Sequence, residues 1–200
     1  MKKICLLITG LFLLVFANAQ KMHAKPSAGN FIFNVKSGDV LTYEVNAKGE
    51  TYTFEVTVKE NRAALVFDWI MPEKDISGEV TLEKEARASA TIYKNLFSNG
   101  EEWDFKDSST VWFSHKNYAE AKKGITTLTM DDSSPDKFKT SKGETFTINY
   151  KGKQVKLSNF KLTDSPTEGD KHSLVILDNP ANPLILQMNL GWTIVLKEVK

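Results

Sequence analysis

The sequence predicts a mainly β protein: a curled antiparallel sheet or half-open barrel of about eleven strands, with two short helices. Three observations carry this. Short segments alternate apolar and polar residues, clusters of Gly, Pro, Asn and Asp separate them, and only two stretches show helical spacing.

The first 19 of the 200 residues read as a removable export signal. Lys2 and Lys3 form a positive start, Ile4 to Phe16 is apolar, and Ala17-Asn18-Ala19 offers small residues for cleavage before Gln20. That apolar run spans about 20 Å as a helix, short of a ~30 Å hydrocarbon core. The protein is therefore expected to be periplasmic or secreted, and not membrane-spanning. Residues 20–30, with Pro26 and Gly29, read as a flexible lead-in to one β-rich domain over 31–200.

Phe31, Phe33 and Val35 alternate as a short first strand. Val40 to Val45 and Thr51 to Lys59 form a hairpin around Lys48-Gly49, with Tyr52, Phe54, Val56 and Val58 on one face of the second strand. Leu65, Phe67, Trp69 and Met71 share a face of the next strand, which Pro72 ends. Gly78 to Leu82 is a further strand. Glu83 to Leu96 has helical spacing and closes at Asn99-Gly100. Trp103 to Phe105 and Thr110 to Phe113 are short aromatic strands. Ser114 caps a two-turn helix over Lys116 to Lys123. Strands resume at Ile125–Met130, Thr145–Tyr150, Gln154–Leu162, Ser173–Leu177, Leu184–Leu190 and Trp192–Val199. Loops lie at 131–136, 165–170 and 179–183. Charges such as Glu55, Lys59 and Lys197 interrupt the outward faces, which excludes a lipid-facing barrel.

Composition narrows the function. The chain holds 26 basic and 25 acidic residues, so it lacks the footprint of a nucleic-acid binder. Its single cysteine, Cys5, sits in the signal, leaving no disulfide or thiolate chemistry in the mature protein. His23, His115 and His172 have no metal-ligand spacing, and no Gly-x-Ser-x-Gly elbow is present. Asp132, Ser134 and Asp136 are spaced like a calcium loop, but Lys137 and Gly143 stand where glycine and glutamate are needed. No cofactor is implied. A glycosidase would need two acids converging across a cleft, and no local motif supplies them.

Four tryptophans remain, and barrels of this size hold an apolar ligand when their interior is not filled. Phe54, Phe67, Trp69, Met188 and Trp192 are the candidate walls of such a cavity.

The sheet–helix–sheet order behind an export signal, with Asn182-Pro183-Leu184-Ile185-Leu186-Gln187-Met188 before Trp192-Thr193-Ile194-Val195-Leu196, resembles exported β-sheet proteins of Gram-negative bacteria. Some of these are similar to the periplasmic lipoprotein-carrier fold. The resemblance implies a half β-barrel cupping apolar acyl chains under short helices, and carries no catalytic residue. The arginine that holds the carrier lid has no matching motif at Arg62 or Arg87. The expectation is a non-enzymatic binder of a lipid or acyl chain. The alternative is an envelope interaction module with a filled core, which binds a protein or glycan partner.

Overall fold

The first hairpin is set by two left-handed residues. Lys48 and Gly49 take φ of 52° and 81°, as a two-residue type I′ turn requires. Strand β1 (Val40–Ala47) returns through them as β2 (Glu50–Asn61), Ala47 opposite Glu50. The computed structural model describes residues 33–131, 133–164 and 171–200, so the export signal, the lead-in, Phe31, Asp132 and the loop 165–170 lie outside the described residues. Phe33 and Val35 are buried but join no ladder.

Strand β3 (Leu65–Met71) buries Leu65, Phe67, Trp69 and Met71 and stops at Pro72, which opens a single 3-10 turn before β4 (Ile76–Leu82). On the outer face Lys59 reaches both Asp68 and Glu79 at 2.7 Å, tying β2, β3 and β4 together.

The first helix is shorter than its spacing predicts. Helix α1 (Lys84–Ser89) ends at Ala90, whose backbone is extended. Thr91 and Ile92 are β-branched, and sheet pairing claims the segment: Thr91 O accepts from Thr129 N–H, and β5 (Ile92–Tyr93) is a strand. Strand β6 (Glu102–Phe105) follows, then β7 (Ser108–Ser109). Thr110 to Phe113 is not a regular strand. Val111 sits at φ 58°, and only Trp112 makes an isolated bridge, to Leu184. Trp112 Nε1 donates to Asn182 Oδ1 at 2.9 Å, fixing this buried turn from the side.

Helix α2 (His115–Ala121) matches expectation, with Ser114 Oγ accepting from Asn117 N–H at 3.2 Å. Beyond it run β8 (Ile125–Met130), β9 (Asp136–Lys142), β10 (Phe146–Tyr150), β11 (Lys153–Leu157), β12 (Asn159–Asp164), β13 (Ser173–Leu177), β14 (Ile185–Asn189) and β15 (Thr193–Val199). Strand β9 falls almost wholly in a stretch for which the sequence predicts no element, and the expected Gln154–Leu162 strand is two strands parted at Ser158.

Among the described residues fifteen strands form one nearly closed, barrel-like sheet in the order β6-β4-β3-β2-β1-β15-β14-β13-β12-β9-β8-β5-β7, with the β10–β11 hairpin branching from β15. The two ends of this path, β6 and β7, are consecutive in sequence. Only Lys106 and Asp107 separate them, so the chain itself closes the ring where no ladder does.

Lys142-Gly143-Glu144 repeats the letters of the first turn but not its structure. A Cβ on Gly143 would lie 1.7 Å from Asn159 Oδ1, so this glycine serves close packing rather than a left-handed turn.

A buried polar network anchors α2. Asn117, fully buried, accepts from Tyr93 Oη at 3.2 Å and Ser114 Oγ at 2.9 Å, and donates to Thr126 Oγ1 at 2.7 Å and Thr127 O at 3.2 Å. Asn117→Ala strands these partners, with an expected loss of ~2–4 kcal/mol in urea unfolding. At the far end of the helix, burial works against the charge of Asp178. The Tyr118 hydroxyl at 2.6 Å and the Lys122 ammonium at 2.9 Å outweigh it and hold that carboxyl below its usual range. A depressed carboxylate stabilises the fold above its unfolded pKa of about 3.9, and the contribution fades as pH falls through the folded value. Asp178→Asn is therefore expected to flatten the acid limb of a stability–pH profile below about pH 4.

Candidate ligand pocket

The strand register fixes the depth of each inward side chain. Met188 faces Ile194, Ile194 faces Val45, and Val45 faces Tyr52, so one row crosses β14, β15, β1 and β2. The next row inward is Leu196–Tyr43–Phe54. Below it come Leu41–Val56–Trp69–Gly78, then Val58–Phe67–Val80.

The first two rows floor a pocket of about 320 Å³ at the barrel mouth. Val45, Tyr52, Phe54, Met188, Trp192 and Ile194 supply the sheet side. The volume lies near the lower end of the ~300–1,000 Å³ of small-molecule sites, enough for one short chain or ring system. Its opposite wall is the segment after β5, with Asn95, Leu96 and Phe97, backed by Val111. Phe97 is the hub: its ring lies 4.8 Å from Phe54, 5.0 Å from Trp69 and 4.9 Å from Trp103. Trp103 in turn meets Phe105 at 5.1 Å. This aromatic chain runs along the seam beside the Lys106-Asp107 link, where Trp103 and Phe105 line a second, smaller hollow of about 250 Å³. Leu96 projects at the lip, 70% exposed.

Of the residues singled out from sequence, Phe54, Met188 and Trp192 line the pocket. Phe67 and Trp69 do not. They occupy the fourth and third rows, at 0% and 1% exposure, where Phe67 packs on Trp112 at 5.4 Å and the Trp69 indole covers Gly78. Leu96 and Phe97 were hidden inside the expected helix, and Lys74 in the turn after Pro72. The apolar pair itself, following the β-branched Thr91-Ile92, was the available signal.

Charge at the mouth is sparse. Lys48, Glu50 and Lys74 are the charged side chains lining the pocket among the described residues, so no second acid converges on Glu50. The Lys74 ammonium stands 3.9 Å above the Tyr52 ring and 3.6 Å from the Glu50 carboxylate. The Tyr43 hydroxyl, below the floor, donates to Ile185 O at 3.1 Å, and burial pushes its pKa well above the usual tyrosine range.

The histidines lie elsewhere. His115 is exposed at the start of α2. His172 places Nδ1 2.9 Å from buried Asp164 Oδ2 and donates its N–H to Oδ1 at 2.8 Å, clamping β12 to β13. Among the described residues no group of three or more His, Cys, Asp or Glu is placed to hold a metal ion. No helix there is long and apolar enough to cross a membrane.

Comparison of the chain with family models, curated proteins and solved structures returns no match. The pocket must therefore be read from its own geometry.

Depth separates the two tryptophans. Trp69→Ala opens a cavity in the filled core and is expected to cost ~3–5 kcal/mol. Trp192→Ala, at the half-buried mouth, is expected to cost less than ~1 kcal/mol. Urea unfolding of both variants checks this.

Proposed function

We propose that this protein is a non-enzymatic binder of a small apolar ligand, such as an acyl chain, held at the mouth of its barrel. On this reading it acts outside the cytoplasm, as the signal-like residues 1–19 imply. The single observation that carries it is the pocket walled by Phe54, Phe97, Met188, Trp192 and Ile194, apolar surface left open where the deeper rows are filled. Burying ligand surface there is worth ~25 cal/mol per Å² before association costs. Such a wall orients nothing for proton transfer or nucleophilic attack, so it suits retention rather than turnover.

The filled third and fourth rows favour the runner-up, an interaction module at the cell envelope. Its partner would be met on loops or on the β11 edge, although the exposed Lys153 and Lys156 there discourage strand addition.

Two measurements decide between them. Native mass spectrometry of protein purified without detergent is expected to show a stoichiometric adduct that an organic extract releases. The neutral dye N-phenyl-1-naphthylamine is expected to brighten with wild type but not with Ile194→Trp, which fills the pocket. A melting temperature within a few degrees of wild type would show that this variant still folds. A bare mass together with equal dye binding by both proteins would favour the interaction module.

A further inference from the structure

We infer that the ligand is a single-chain amphiphile with an anionic head, a carboxylate held at the rim by Lys48 and Lys74. This rests on the pocket reading and adds the chemistry of the head to it.

Two ammonium groups and one carboxylate line the mouth, and they are not equally engaged. Lys48 sits in the turn between β1 and β2, exposed, with no ion-pair partner among the described residues. Its left-handed φ of 52° is imposed by the tight hairpin, so its Cα is rigidly placed beside the opening. Lys74 leaves its 3-10 turn and is drawn over the pocket by the face of Tyr52 at 3.9 Å. Its contact with Glu50 is loose, 3.6 Å against ~2.7–2.9 Å for a charge-assisted hydrogen bond, and Glu50 is 72% exposed. Glu50 can swing to solvent and leave the ammonium to a ligand.

The nearby Glu73 does not compete. Its carboxylate accepts from Thr53 Oγ1 at 2.8 Å and Thr53 N–H at 3.0 Å, outside the pocket lining. The rim thus presents net positive charge directly above an apolar floor, and an anionic amphiphile satisfies both. The volume admits one chain rather than two. The two lysines act as point charges, which attract an anionic head without the bidentate fork an arginine would add. Neither arginine, Arg62 nor Arg87, lines the pocket.

The test compares dodecanoate with dodecanol, each below its aggregation limit at pH 8, by displacement of N-phenyl-1-naphthylamine. Each ligand is run with wild type, Lys48→Asn/Lys74→Gln and the remote control Lys153→Gln. Asn suits the left-handed turn position, so the double variant keeps the hairpin. Wild type and the control are expected to prefer dodecanoate roughly tenfold, two exposed ion pairs contributing a few-fold each. The preference should shrink in 0.5 M salt. In the double variant the ratio should fall to about one. Equal affinity for both ligands in wild type, or a preference that survives in the double variant, would overturn the anionic head while leaving the pocket reading intact. Failure of both ligands to displace the dye would overturn both.

Discussion

Pairing of β1 with β15 is the constraint on which the rest of the structure depends. The two strands join one arm of the sheet, β2 to β6, to the other, β14 to β7. They also set the register that places Val45 against Ile194 and, through it, Met188 and Tyr52 in one row. A slip of one residue would turn that row to solvent and turn Glu44 and Thr193 inward. The bulge between Thr42 and Tyr43 absorbs an irregularity further along the same pair, and the floor of the pocket is left undisturbed.

Large apolar side chains then decide where space remains. Phe67, Trp69, Trp112 and Tyr93 pack the lower barrel to near-complete burial. At the mouth the same inward face carries Val45 and Ile194, which are smaller, and the gap above them is the pocket. The wall opposite is irregular chain rather than strand. It is held by ring contacts of Phe97 and by the Asn95 N–H, which donates to Asp131 Oδ1 at 2.7 Å.

How far the sequence could be read follows from these two scales. Period-two patterning marks the inward face, so β2 and β3 were legible and their inward faces were named correctly. The depth of a residue along the barrel depends on register between strands far apart in sequence, which no local pattern encodes. Phe54, Phe67 and Trp69 look alike from sequence, yet they occupy three different rows. Strand β9 was missed because Phe138 is its one buried residue, and the rest of Asp136–Lys142 reads as a polar loop. The helix was drawn too long because alanines and charges outweighed Thr91-Ile92, until pairing with β8 settled the matter.

The Lys106-Asp107 link gives the barrel an expansion joint. A ring closed entirely by ladders can widen only by breaking backbone hydrogen bonds, several at once. Here the last gap is spanned by two residues, which reach at most ~11 Å across their peptide units. Torsion about those bonds lets β6 and β7 part while every ladder stays intact. The aromatic rings of Trp103 and Phe105 stand beside that link and lead through ring contacts to Phe97 on the pocket wall. On the proposed reading, a ligand would exchange through ring repacking at this seam rather than through strand separation.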